Sequence, residues 1–238
     1  MGRLLFTKEG VAVWSSHLDL MRALMRCFRR AGIDLKHSQG FTPHPELSIL
    51  MPLSVGVESQ CELAEFTLAE GCSVPIEEVA ARMAPVLPAG LRALESYEGG
   101  KKAGKLAWLR ARLTLSYDNG LPADAADALT ALFARPSLVV EKFGKKGPTA
   151  LDVAPMIREL TVSQTPENAE GGFPASLGMT KAERAYTLTV EAVVAAQNPT
   201  LNPLLLATAI ETHLPTYKPD FVQCRRLEIY DADGAVFR

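Results

Sequence analysis

Leu47-Ser48-Ile49-Leu50-Met51 and Cys61-Glu62-Leu63-Ala64-Glu65-Phe66-Thr67-Leu68 decide the fold. The first is a short apolar run and the second alternates, so the two read as antiparallel strands. On their N-terminal side, residues 17–31 have helical spacing and stop at Gly32. Before that helix, residues 3–7 read as a strand, Lys8-Glu9-Gly10 as a turn, and residues 11–14 as the extension of a hairpin. On the C-terminal side, residues 75–86 read as a helix with Pro75 in its first turn, and residues 91–97 as a strand. The order is strand, helix, strand, strand, helix, strand, which is the ferredoxin-like pattern.

Past a Gly/Lys-rich linker at 100–105, the order recurs less regularly. Residues 106–117 read as a strand, 123–134 as a helix, 138–143 as a strand leading through a Gly/Lys turn to 150–153, and 155–160 as a short helix. Residues 186–194 alternate strongly, 202–213 read as a helix, and 225–230 as the closing strand. Residues 165–181, rich in Gly, Pro, Asn and Glu, read as a mobile loop. The expected fold class is therefore α+β: two ferredoxin-like (βαββαβ) domains with antiparallel sheets, at 1–99 and 106–238. One continuous α+β domain is the alternative.

Composition bounds the function. The chain has 238 residues, 47% hydrophobic and 22% charged, with a net charge of -2. A sizeable core is expected, and a nonspecific nucleic-acid coat is not, although a local basic patch fits. No apolar run approaches the ~20 residues of a membrane helix. Lys8 and Glu9 interrupt any signal-peptide core, so a cytoplasmic protein is expected. Cys27, Cys61, Cys72 and Cys224 form no C-x-x-C pair, and no metal-site spacing is present.

The helix at 17–31 carries the first candidate site. Ser16 suits its N-cap and Asp19 its first turn. At 100° per residue, Leu18, Met21, Leu24, Met25 and Phe28 share one arc and are expected to be buried. Arg22, Arg26, Arg29 and Arg30 share another arc with Asp19. Planar guanidiniums suit phosphate or carboxylate, so this face reads as an anion or RNA-backbone surface, or as a solvated face of ordinary ion pairs.

The run His37-Ser38-Gln39-Gly40-Phe41-Thr42-Pro43-His44-Pro45 follows. Pro43 and Pro45 stiffen it and Gly40 permits a turn. Phe41 can stack on a base, and Ser38, Gln39 and His44 can hydrogen-bond one. A stiff connector is the plainer reading. His17 and His44 are the acid–base candidates, without a supporting nucleophile or carboxylate pair. A second glycine turn, Pro52-Leu53-Ser54-Val55-Gly56-Val57-Glu58-Ser59, is expected near the basic helix. Lys101, Lys102, Lys105 and Lys142, Lys145, Lys146 form two further basic turns.

Arg3-Leu4-Leu5-Phe6-Thr7-Lys8-Glu9-Gly10, Ser16-His17-Leu18-Asp19-Leu20-Met21-Arg22, Arg29-Arg30-Ala31-Gly32, the 38–45 run and the 52–59 turn together resemble an uncharacterised radical-SAM-linked protein family. Ala150-Leu151-Asp152-Val153-Ala154-Pro155-Met156-Ile157 looks like its second-domain motif. Thr42 and Glu46 depart from the usual Asn and Lys, the second change removing a positive charge. The resemblance implies a separately encoded radical SAM partner, with the iron–sulfur cluster and SAM on that partner and no cofactor on this chain. The cluster-binding C-x-x-x-C-x-x-C triad is absent. Its members' gene neighbourhoods imply RNA modification or ribosome-linked work. Three functions are thus weighed: an accessory tRNA- or rRNA-binding, substrate-presenting subunit rather than an enzyme on its own; a metal-independent RNA-processing enzyme using His17 or His44; and a protein-interaction module docking an acidic partner face.

Overall fold

A computed structural model describes residues 1–144, 147–164 and 186–238. The expected loop at 165–181, and Lys145 and Lys146, lie outside these described residues. The chain is α+β, with antiparallel pairing throughout each unit and four α-helices among the described residues. It divides into two compact units, one of residues 1–105 with Phe237–Arg238 and one of residues 106–236.

The first unit runs β1 (Gly2–Lys8), α1 (His17–Arg30), β2 (Leu47–Leu50), β3 (Val57–Phe66), α2 (Val79–Met83) and β4 (Leu91–Glu98). Its strands lie in the order β4-β1-β3-β2. Leu4 and Phe6 of β1, Ile49 of β2 and Ala64 and Phe66 of β3 enter one core with Leu20, Leu24, Cys27 and Phe28 of α1. The rings of Phe28 and Phe66 stand 5.1 Å apart at 53°, a favourable tilted pairing. Residues 11–14 correct the sequence reading: Gly10–Trp14 is a 3-10 turn, not a strand. Buried Lys8 holds it, donating from Nζ to the carbonyls of Val13 and Ser15, 3.2 Å each. The expected helix at 75–86 is α2 flanked by 3-10 turns.

Residues 100–105, expected to be a linker, contain the 3-10 turn Ala103–Lys105 and belong to the first unit. Arg3, 1% exposed, organises this region. It pairs with Glu65 at 2.7 Å, donates to the carbonyl of Lys101, and lies over the ring of Phe237. The amide of Lys101 donates to the carbonyl of Arg238 at 2.8 Å.

The second unit runs β5 (Leu106–Tyr117), α3 (Ala125–Phe133), the hairpin β6 (Val139–Gly144) and β7 (Gly147–Asp152), β8 (Ile157–Gln164), β9 (Tyr186–Ala195), α4 (Leu204–His213) and β10 (Phe221–Asp231). Its main sheet has the order β10-β5-β9-β8, and β6 and β7 pair only with each other among the described residues. The short helix expected at 155–160 is instead a 3-10 turn, Ala154–Met156, leading into β8. Pairing with β9 satisfies the backbone of that segment, so tertiary context overrides its apolar spacing.

Candidate functional site

The N-terminus of α1 is built as its sequence implies. The amide of Asp19 donates to Ser16 Oγ at 3.2 Å, and the Ser16 hydroxyl donates to Asp19 Oδ2 at 2.7 Å. Asp19 also meets Arg22 Nη1 at 3.3 Å. Its carboxyl is held below its ordinary value, chiefly by the Ser16 hydroxyl and further by Arg22. At the other end, the amide of Ile33 donates to the carbonyl of Phe28 at 3.0 Å and that of Gly32 to Arg29 at 3.2 Å. This double closure needs the left-handed backbone of Gly32, with φ of +69°.

The buried side of α1 is Leu20, Leu24, Cys27 and Phe28, with Met21 and Met25 partly covered. Leu18 is a correction, being 63% exposed. By helical arithmetic it falls beside Arg22 and Arg29 rather than in the middle of the apolar arc. All four arginines are exposed. Only Arg22 among them has an acidic partner within the described residues; Arg26, Arg29 and Arg30 make no ion pair there.

The loop after α1 is closed like a narrow hairpin. The amide of Glu46 donates to Lys36 O at 2.7 Å, and that of Ser38 to His44 O at 2.9 Å. His37 bridges Pro45, and Lys36 reaches Glu46 at 3.6 Å. Ser38 Oγ accepts from the His44 amide at 3.2 Å and shares a hydrogen bond with His44 Nδ1 at 2.9 Å. The Ser38–His44 pair therefore locks the neck of the loop. Beyond it, Gln39, Gly40, Phe41, Thr42 and Pro43 are exposed, and Phe41 is entirely so. An open cavity of about 240 Å³ lies alongside, lined by Met1, His44, Glu46, Ser48, Glu65 and Thr67 among others.

The structure separates some expected site residues. Gly56, with φ of +82°, donates its amide to the carbonyl of Val13, so the 52–59 turn sits at the N-terminal end of α1. The 36–46 loop follows the C-terminal end, a helix length of about 20 Å away. His17 opens α1 and is exposed, and no hydrogen bond among the described residues joins it to His44. Asp152, in the 150–157 run, is structural here. Its Oδ1 accepts from the amides of Leu138 and Ala154 at 2.8 and 3.1 Å, closing the β6–β7 hairpin.

Residues 2–203 match a family described as "Uncharacterized protein conserved in bacteria (DUF2344)". The chain belongs to this family. The DUF2344 match spans the whole arginine face and the 36–46 loop, and stops before α4 and β10. No curated protein matches the chain. Among the described residues no helix is long and apolar enough to cross a membrane.

Sequence reasoning misses one element of this region. Val11, Trp14, Leu18 and Val55 are 67%, 68%, 63% and 53% exposed around the start of α1. The Trp14 indole lies 3.6 Å from where a side chain on Gly56 would begin, which places it beside Val55. The signal for Leu18 is its helical angle; for Trp14 none is readable in one sequence.

Proposed function

We propose that this chain is an accessory RNA-binding protein of the cytoplasm that presents tRNA or rRNA to a separately encoded radical SAM enzyme. One observation carries the RNA reading: the guanidiniums of Arg26, Arg29 and Arg30 are exposed and without ion pairs among the described residues. Unpaired guanidiniums lose little on meeting a phosphate, and release of counterions then supplies the affinity. Phe41, fully exposed on a loop laced at its neck, supports the same reading. An exposed ring on a fixed loop can stack on an unpaired base at small cost in ordering. The radical SAM partner rests on the resemblance of the sequence motifs alone. The strand orders β4-β1-β3-β2 and β10-β5-β9-β8 support reading both units as ferredoxin-like, the second with the β6–β7 hairpin inserted after its first helix.

The test is binding of unmodified tRNA and of rRNA fragments across a salt series. The expected result is a steep loss of affinity with salt, and a shallower slope at lower affinity in Arg26→Glu. Salt-insensitive binding, or no binding at all, overturns it.

A second reading is favoured by the exposed Val11, Trp14, Leu18 and Val55. Exposed aliphatic and indole groups beside arginines are the composition of a protein interface, not of a phosphate-binding face. A complex with the radical SAM protein that survives nuclease and high salt, and is lost in Trp14→Ala, would place the protein partner at this end of α1.

A further inference from the structure

The sheet of the second unit has two unlike faces. Along β5, Leu109, Ala111, Leu113 and Leu115 are buried, whereas Trp108, Arg110, Arg112 and Thr114 alternate with them and remain partly or fully exposed. Trp108 and Tyr230 are direct cross-strand neighbours on β5 and β10. Each ring carries a guanidinium: Arg158 lies over Trp108 at 5.7 Å and Arg110 over Tyr230 at 5.8 Å. Arg158 starts from β8, and small Ala195 is the β9 neighbour of Trp108. The side chains of Arg110, Arg112 and Arg158 are 41%, 46% and 43% exposed, over half-buried Trp108 and Tyr230.

Two of the arginines on this face are loosely committed. Arg110 and Arg158 share Glu159, each at 4.0 Å, the outer limit of an ion pair. Glu191 is held closely by Arg112, and Glu228 accepts from the amide of Ile229 at 2.8 Å. Arg110 and Arg158 are therefore the two guanidiniums a phosphate can recruit at least cost. A base laid on either ring takes the place of its guanidinium, which swings to the flanking phosphate. Two adjacent rings, each with such a cation, match two successive unpaired nucleotides; a duplex hides the base faces the rings need.

We propose that this face, centred on Trp108 and Tyr230, is a stacking platform for single-stranded RNA. It rests on the RNA reading above and adds a second binding surface, on the second unit, with the preference for unpaired strands. Because Phe41 beside α1 also favours an unpaired base, the Trp108 signal rather than strand preference alone separates the two surfaces.

The test uses Trp14→Phe, which leaves Trp108 as the only tryptophan. A short oligouridylate is expected to quench its emission saturably, and duplex RNA of the same length to leave it unchanged. Trp108→Ala and Tyr230→Ala, read by anisotropy of the labelled oligonucleotide, are each expected to weaken binding about tenfold. Quenching that persists in Arg26→Glu keeps the platform, and the α1 surface is overturned only if affinity and salt slope are also those of wild type. Binding that is lost in Arg26→Glu, with Trp108 emission unmoved and Trp108→Ala binding at wild-type strength, overturns the platform and keeps the α1 surface. Absence of any oligonucleotide binding overturns both.

Discussion

The guanidinium carbon of Arg3 stands 5.2 Å from the ring centre of Phe237, joining residues from opposite ends of the chain within one compact unit. Arg3 is 1% exposed and Phe237 is fully buried. Removing the cation leaves Glu65 without its partner, and breaking a largely buried pair costs about 3 kcal/mol or more. Arg3→Ala is expected to lower the unfolding free energy by that amount, read as a lower denaturation midpoint. Phe237→Ala should cost a similar ~3 kcal/mol through its cavity, and the double variant less than the sum. A strictly additive double variant would show that the ring and cation are not coupled.

Gly90 offers a sharper test of backbone fit. Its φ is +87°, its carbonyl accepts from the Glu9 amide at 2.8 Å, and a Cβ there would stand 2.3 Å from the Glu9 carbonyl oxygen. Gly90→Ala adds a left-handed penalty of about 1–2 kcal/mol to that clash. Thermal unfolding should show a loss clearly larger than for Gly104→Ala, where a side chain meets open space.

The α1 cap makes stability depend on pH in a defined direction. Asp19 has its carboxyl held below the ordinary 3.8 in the folded state. Its contribution is therefore present above the unfolded value and is lost as pH falls through the lower, folded value. Ser16→Ala removes the chief cause of that shift and one amide cap. It should cost about 1 kcal/mol near neutral pH and show a smaller difference from wild type in acid. A constant difference across the acid range would contradict the assignment.

The four cysteines should separate by reactivity. Burial pushes the Cys224 thiol up to about 12, and Cys27 is likewise raised by burial while its Sγ donates to Val86 O at 3.3 Å. Cys61 is buried and Cys72 half-exposed. An aromatic disulfide reagent on the folded protein should therefore modify Cys72 first, and Cys72→Ser should abolish the fast phase.

Much of the fold is legible because local signals agree with tertiary pairing. Ser16, Asp19 and Gly32 delimit α1 by capping chemistry alone, and the alternation of 106–117 gives β5 its full length. The failures arise where a side-chain hydrogen bond or a sheet partner decides. Val11-Ala12-Val13-Trp14 has strand composition, but the buried amine of Lys8 gathers two of the region's carbonyls and curls it. Residues 157–160 carry apolar groups three apart, yet form a strand because β9 offers an edge. At the candidate site, the arginine arc and the stiff loop are readable from spacing and proline content. The lock between Ser38 and His44 joins residues six apart, and the exposure of Leu18 follows from its helical angle, whereas the guanidinium-covered rings of the second unit depend on partners that sequence distance conceals.

The seat of Phe237 also fixes an order of events during synthesis. Domains ordinarily fold as they leave the ribosome, N-terminal first. Here the ring that covers Arg3, and the carbonyl of Arg238 that receives the Lys101 amide, are translated after the whole second unit. Until translation has passed the last strand of the second unit, Arg3 of the nascent first unit is without its ring and Lys101 without the carbonyl of Arg238.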